Sequence, residues 1–386
     1  MNKNTEQIRI AYIIDSLGKG GAQAALIHLV KYLSKNRNYK QRIYSLNDVV
    51  HPDNKRLLLE CGAEVTVIGK IPLVTVIGLS RILYDFIAWK PTIILTMLFY
   101  SDVIGRIIAK ITVRPIILSS IRSLMTLRHK DINKLALFLD RLTVSWADKI
   151  IFNNKAAIPL AIKSENIQET QVVYIPNGVD SNFLSTVEIN RFKKRQELDI
   201  SNNVLIIGSI GRLGIEKGFP YLLQSFKIIY PRFPHCMLLI IGTGILLESL
   251  RLQVKELGLF EHVVFLGQRT DVPELLSCID IYIHPSLSEG MPNVVMEAMA
   301  IGKPTIATTV GDTAELIEEG KTGWLVEPKN PKMLAEKICY VLNNLEMAEK
   351  VGLAAAERMA TKFSIEKMGQ SYDKLFRSLV SKKLKT

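Results

Sequence analysis

Short apolar runs alternate with helix-period stretches from Ile8 to Ile175, and the alternation starts afresh at Val204. The first set of expected strands is Ile8–Ile14, Gln41–Ser45, Glu64–Ile68, Thr92–Met97, Ile116–Ser119, Lys149–Phe152 and Val172–Ile175. The second is Val204–Ile210, Met237–Ile241, Val263–Leu266, Ile281–His284, Thr305–Ala307 and Trp324–Val326. Strand–helix–strand alternation requires parallel strands joined by crossover helices. Two such sets in 386 residues predict two doubly wound α/β domains facing each other across a cleft. Ligands of such sheets bind beyond the C-terminal strand ends. The turn-rich segment IPNGVDSNFLSTVEIN separates the sets, which puts the domains at 1–180 and 181–363. The tail, 364–386, has helical period and a basic end, and is expected to pack back on the first domain.

Composition narrows the function classes. At 48% hydrophobic and 22% charged, the chain reads as globular. The most apolar stretch, Ile71–Ala88, is broken by Pro72, Arg81 and Asp85, so no membrane span is expected. The N-terminus lacks the layout of a signal peptide. Four scattered cysteines without a C-x-x-C pair argue against a disulfide framework or a zinc site, and a reducing, cytoplasmic setting is expected. The net charge of +12 is lopsided. Residues 1–185 hold 24 Lys and Arg against 14 Asp and Glu, and the rest hold 25 against 23. The basic half either reflects plain composition or attracts an anionic partner, a membrane face or a phosphate-bearing substrate. Basic residues are not interleaved with aromatics and no nucleic-acid motif is present, so nucleic acid is not an expected partner.

Three strand ends carry candidate chemistry. Ile8–Ile14 runs into DSLGKGGAQAAL, where Gly20 and Gly21 lead into a helix. Backbone N–H groups there can face an anion, although a plain tight turn explains the same residues. The second set begins likewise: VLIIGSIGRLGIEKGFP places Arg212 and Lys217 around a turn before a helix. A guanidinium fork and an ammonium near a helix start suit a diphosphate. The third is PSLSEGMPNVVMEAMA, with Glu289 in a turn shaped by Gly290 and Pro292. Asn293 and Val294 follow at the helix start, and Glu297 lies a turn in. Carboxylates accept hydrogen bonds from sugar diols. Cations for a diphosphate and acids for hydroxyls together imply a nucleotide sugar.

With these segments the chain resembles the retaining GT-B glycosyltransferases of family 4 over nearly its full length. The matching elements are GGAQ at Gly20–Gln23, PNGVD at Pro176–Asp180, GRLGIEKG at Gly211–Gly218 and FLGQRTDVPELL at Phe265–Leu276. They continue with HPSLSEGMPNVVMEAMAIGKPTIAT from His284 and GKTGWLVEP from Gly320. The E-x7-E segment is the most specific of them. The resemblance implies that Glu289 contacts the donor sugar's hydroxyls and that Glu297 binds the ribose. It further implies that backbone groups around Met291–Val294 hold sugar and phosphate, that Arg212 and Lys217 face the diphosphate, and that Arg269–Val272 borders the base. The implied activity is sugar transfer with retention from a UDP- or GDP-linked donor to a glycan or lipid-linked acceptor, in cell-surface polysaccharide or lipopolysaccharide assembly. The alternatives are a UDP-sugar 2-epimerase of the same fold, whose family lacks this E-x7-E context, and a non-catalytic nucleotide-sugar-binding protein.

One departure concerns the catalytic-loop histidine of many members. Here the strand leads into LSSIRSLM, and Arg122 takes the place. Arg122 either contacts the reacting sugar, binds acceptor phosphate or orders the loop. No D-x-D motif occurs, so no metal and no cofactor are expected; the cations and helix N-termini would stabilise the leaving diphosphate. On the acceptor side, MLFYSDVIGR sets Tyr100 and Asp102 at a strand end, with Asp102 as N-cap of the next helix the favoured structural role. Arg106, Lys110 and Arg114 recur at i, i+4 and i+8 among isoleucines. That spacing describes either an interfacial helix on an anionic inner membrane face or an ordinary crossover helix.

Overall fold

The computed structural model describes residues 7–69, 72–122, 132, 134–180 and 191–384, apart from the side chains of 72–76. Residues 181–190, most of the predicted boundary, and 123–125 of the quoted Arg122 segment lie outside the described residues. The chain divides into two compact units, one of Met1–Gly178 with Ile365–Thr386 and one of Val179–Ser364.

In the first unit the order is β1 (Ile8–Ile14), α1 (Gly21–Ser34), β2 (Tyr39–Ser45), α2 (Pro52–Glu60), β3 (Glu64–Val67) and α3 (Pro72–Trp89). Then come β4 (Ile93–Met97), α4 (Phe99–Ile111), β5 (Ile116–Ile121), α5 (Lys134–Thr143), β6 (Lys149–Phe152), α6 (Ala157–Ser164) and β7 (Val172–Tyr174). The sheet order is β3-β2-β1-β4-β5-β6-β7, and every pairing is parallel. All five residues of β4 are buried. This is why the central strands read as unbroken apolar runs: both sheet faces are covered by helices.

The second unit runs α7 (Arg191–Glu197), β8 (Leu205–Ile210), α8 (Phe219–Ile229), β9 (Cys236–Ile241), α9 (Leu247–Glu256), β10 (Val263–Gly267) and α10 (Val272–Cys278). It continues with β11 (Ile281–His284), α11 (Asn293–Ala300), β12 (Thr305–Thr308), α12 (Thr313–Leu316), β13 (Trp324–Val326), α13 (Pro331–Leu342) and α14 (Leu345–Lys362). Its parallel sheet is ordered β10-β9-β8-β11-β12-β13.

The last helix, α15 (Ile365–Lys383), belongs to the first unit. Met368, Tyr372 and Phe376, one turn apart in succession, are buried in the core that α1 shares with the sheet. The fit is close: a Cβ on Gly369 would lie 2.2 Å from the Tyr32 ring. In each unit the chain order reverses once, between β1 and β4 and between β8 and β11. Loops leaving adjacent strands diverge at these points and open a crevice beyond the strand ends.

Candidate active site

The switch point of the second unit gathers most of the predicted donor residues. After β8 the chain runs through Gly211–Gly218 and turns into α8. Gly218 is left-handed, at φ 67°, and a Cβ there would stand 2.0 Å from the carbonyl oxygen of Pro285. Only glycine tolerates both conditions. This close approach brings the loop after β8 against the loop after β11, and Leu287 N–H donates to Glu216 O at 2.8 Å.

Glu289 lies at the centre of that contact. Its Oε1 accepts from Lys217 Nζ at 2.6 Å, Ser286 Oγ at 2.7 Å and His284 Nε2 at 2.8 Å. His284 Nδ1 lies 3.3 Å from the Tyr282 hydroxyl. Burial raises the Glu289 carboxyl, but the hydrogen bond and charge of His284 and the charge of Lys217 outweigh it, and the group is lowered to about 2. The turn itself is fixed from behind. Thr308 Oγ1 donates to Ser286 O at 2.5 Å, and Asp312 N–H to Gly290 O at 2.9 Å. Met291 and Pro292 are buried, and α11 begins at Asn293 and Val294, so the positive end of its peptide dipoles meets this loop.

Glu297 lies a turn into α11 and is half-buried. Its carboxyl has no hydrogen-bond or ion-pair partner among the described residues, and burial pushes it up to about 7. The two acids of one motif thus differ: one is firmly ionised and paired, the other is near neutrality and unpaired.

The remaining predicted donor residues are more dispersed. Arg212 is 75% exposed and pairs with Glu216 at 2.6 Å, outside the Lys217–Glu289 cluster. Arg269 grips Asp271 with two hydrogen bonds, of 2.8 and 2.6 Å, and Lys194 joins at 3.0 Å. The Arg269 hydrogen bonds hold Asp271 well below the usual carboxylate range, and half-buried Val272 opens the next helix.

In the first unit, Gly20, Tyr100 and Arg122 follow the C-terminal ends of β1, β4 and β5. Gly20 is extended, and a Cβ there would meet Gln23 Oε1 at 2.5 Å. Gly21 opens α1. Asp15, at the end of β1, accepts from Ser101 N–H at 2.7 Å, Ser101 Oγ at 2.5 Å and Tyr100 N–H at 3.3 Å. Its carboxylate therefore occupies the N-terminus of α4 and ties the two strand ends of the switch point together. Arg122 donates to Asn177 Oδ1 at 2.7 Å and to the Tyr372 hydroxyl at 3.1 Å, while its buried Nε finds no partner among the described residues. Asn153 Nδ2 shares the same Asn177 oxygen at 3.1 Å.

Three expectations need correction. Asp102 is not an N-cap. Leu98 precedes the helix, and Asp102 is buried inside it, accepting from Thr96 Oγ1 at 2.5 Å. Arg106 faces the core and not a membrane. Its side chain is fully buried, donating to Ser119 Oγ at 2.9 Å and Asp140 Oδ1 at 2.8 Å. Arg114 lies beyond the end of α4 at Ile111, in the left-handed region at φ 46°, so it shares no helical face with Lys110. Spacing placed the three cations on one face, but a buried acid on α5 claims Arg106.

The sequence reading assigned no role to His284, Ser286, Asp15, Asn177 or Tyr372. His284 and Ser286 stand five and three residues before Glu289, and that proximity at a strand end was the available signal. Asp15 and Tyr372 act over long sequence separations that no local pattern reveals.

Two family models match the chain: Glycosyltransferase Family 4 over residues 19–183, and Glycosyl transferases group 1 over residues 190–358. The chain belongs to glycosyltransferase family 4. Its fold is GT-B, and it is a glycosyltransferase. Within the family, it is 26% identical to the capsular polysaccharide biosynthesis glycosyltransferase CapM of Staphylococcus aureus over 78% of this chain and 81% of that protein. It is 24% identical to the UDP-Gal:alpha-D-GlcNAc-diphosphoundecaprenol alpha-1,3-galactosyltransferase of Escherichia coli, over 59% of this chain and 60% of that one. Anabaena HepE in complex with UDP-glucose superposes with a TM-score of 0.83 at 24% identity, covering 96% of this chain and all of that one. WaaG, a glycosyltransferase involved in lipopolysaccharide biosynthesis, gives 0.69 at 14% identity over 94% and 98%.

Proposed function

We propose that this glycosyltransferase moves a sugar, with retention of anomeric configuration, from a UDP- or GDP-linked donor to a glycan or lipid-linked acceptor in cell-surface polysaccharide or lipopolysaccharide assembly. The observation that carries the reading is the pair of unlike acids at the switch point of the second unit. Glu289 is ionised and backed by Lys217, as a group that grips sugar hydroxyls must be. Glu297 is half-buried with no partner among the described residues, as an acceptor reserved for a ribose diol must be. HepE complexes with UDP and with UDP-glucose support the donor class, and the activities of CapM and the E. coli galactosyltransferase support the acceptor class.

Each residue then has a task. Breaking the anomeric C–O bond leaves negative charge on the diphosphate and positive character on the sugar. Lys217, Arg212 and the N-terminus of α11 meet that negative charge, and no metal or cofactor is assigned. Arg212 would turn from Glu216 towards the phosphates, which its exposure allows. Arg269 and Val272 border the base. The departing phosphate takes the acceptor hydroxyl's proton on the same face, so carbon–oxygen bond formation and cleavage leave the configuration unchanged. In the first unit, Arg122 is the fixed cation for a phosphate-bearing acceptor, with Gly20, Gly21 and Tyr100 at the neighbouring strand ends. Among the described residues no helix is long and apolar enough to cross a membrane. Work on a lipid-linked acceptor would place the chain on the cytoplasmic face of the membrane as a peripheral protein.

A thermal-shift screen of UDP- and GDP-sugars tests the donor, since a ligand that binds only the folded state raises the melting temperature by mass action. Proton NMR of the first-formed product reads the anomeric configuration. An inverted product, or no shift with any nucleotide sugar, would sink the reading.

A further inference from the structure

A cavity of about 560 Å³ opens at the other end of the first unit's sheet, around the N-terminal ends of β5 and β6. Five cations line it: Lys110 from the last turn of α4, Arg114 just after, Lys149 from β6, and Lys382 and Lys383 from the end of α15. They come from four separate places in the chain, so the fold assembles them. The lining includes one carboxylate, Asp148, which accepts from Ile117 N–H at 2.7 Å. Lys110, Arg114, Lys149 and Lys382 form no ion pair among the described residues. Five cations around one carboxylate leave a surplus of positive charge, which raises the free energy of the folded unit. An anion in the cavity reverses the sign of that contribution.

Several of these groups are held in place. Lys383 donates to the Arg114 carbonyl oxygen and Lys149 to that of Thr170. Lys110 lies over the Trp146 ring, 5.8 Å from its centroid. Arg114 keeps a left-handed conformation at φ 46° that is costly for a non-glycine residue. A second cavity of about 400 Å³ adjoins the first, sharing Pro115, Ile116 and Lys383. It adds apolar walls from Ile8, Val113 and Val380. The volume of the first cavity falls in the range of small-molecule sites. A guanidinium fork with several ammonium groups matches phosphate oxygens better than a single carboxylate.

We propose that this cavity binds a phosphate-bearing anion, either a phospholipid headgroup or a soluble phosphate ester, separately from the reacting substrates. The sheet separates it from Asp15, Tyr100 and Arg122, which follow the C-terminal strand ends, so the proposal does not depend on their roles. It also accounts for basic residues of the first unit that sugar transfer leaves unused.

The test uses the full chain carrying Arg212→Gln and Lys217→Gln, which silences the cations of the second unit. Into this background Lys149→Gln and Lys382→Gln are added. Inorganic pyrophosphate is titrated by calorimetry, and flotation is measured with phosphatidylcholine vesicles with and without phosphatidylglycerol, all at low salt. The expected result is at least tenfold weaker binding of one probe when the cavity lysines are neutralised. Loss confined to the phosphatidylglycerol vesicles identifies a headgroup, and loss of pyrophosphate binding identifies a soluble ester. Both probes binding equally with and without the cavity changes would overturn the proposal. So would neither probe binding the background chain. Lys382→Glu alone, on the exposed last turn of α15, repeats the comparison if the combined variant melts early.

Discussion

Lys217 Nζ and Glu289 Oε1 lie 2.6 Å apart, and the same oxygen takes hydrogen bonds from His284 and Ser286. The cation assigned to the diphosphate and the acid assigned to the sugar are thus one ion pair before any donor arrives. A bound diphosphate must share Lys217 with Glu289.

Removing the acid therefore separates binding from turnover. Glu289→Gln is expected to lower turnover by about 10²–10³-fold, the cost of losing a group aimed at the reacting sugar. Its affinity for free UDP should stay level or improve, because Lys217 is released. Glu297→Ala should do the reverse, weakening UDP by roughly 10–100-fold, as loss of hydrogen bonds to a charged group does. Calorimetry with UDP beside steady-state kinetics checks the contrast. Equal loss of UDP affinity in both variants contradicts it.

Glu297 also sets a pH dependence. A ribose diol donates to the ionised carboxylate, and burial pushes this carboxyl up to about 7. Nucleotide affinity should therefore rise by about tenfold from pH 6 to pH 8, following the ionised fraction. Stability runs the other way. A folded-state value above the ordinary one near 4.5 gives stability that is full below 4.5 and lost as pH rises through 7. The loss is about 3 kcal/mol. Glu297→Gln should raise the melting temperature at pH 8, leave it unchanged at pH 4.5, and flatten the pH dependence of UDP binding. A parallel pH profile in the variant rules the assignment out.

Arg106 is a core residue, and its loss should act on folding. Arg106→Ala takes away the guanidinium against which the Asp140 carboxylate is buried and is expected to cost about 3–5 kcal/mol. Arg106→Met with Asp140→Leu should recover much of that. Urea titrations read both. A wild-type midpoint for Arg106→Ala would show that the buried pair does not form.

Tyr372 holds Arg122 from the last helix. Tyr372→Phe keeps the ring in its core and removes one hydrogen bond, so the melting temperature should fall by only a few degrees, for a loss of about 1 kcal/mol. The acceptor KM should rise several-fold while UDP affinity is unchanged. An unchanged acceptor KM would mean that Arg122 orders its loop and does not touch the acceptor.

Metal removal gives a simple check. Lys217, Arg212 and a helix N-terminus are assigned to the diphosphate, so transfer should survive excess EDTA. Complete loss restored by Mg²⁺ or Mn²⁺ would remove that assignment.

Legibility in the sequence followed the range of the interaction. The restart of the strand–helix alternation at Val204 is local, and the two parallel sheets follow from it. The placement of Glu289 in a turn and of Glu297 a turn into a helix was readable because their motif lies within one loop and one helix. What the sequence hid was pairing across distance. Arg106 looked like an exposed cation because its partner Asp140 is 34 residues away on another helix. Asp15 reaches Ser101 across 86 positions, and Arg122 reaches Tyr372 across 250. Periodicity reports which face a residue occupies, but not whether a distant acid waits there.

The last helix has a consequence for synthesis. Met368, Tyr372 and Phe376 complete the core of a unit whose other residues end at Gly178. A nascent chain that has emerged as far as Ser364 carries every residue of the second unit, yet the first still has an open apolar face over α1. The part made first is therefore the part finished last. In the interval, that face is what a chaperone or a neighbouring nascent chain would meet. A stop codon before Tyr372 would leave it open for good.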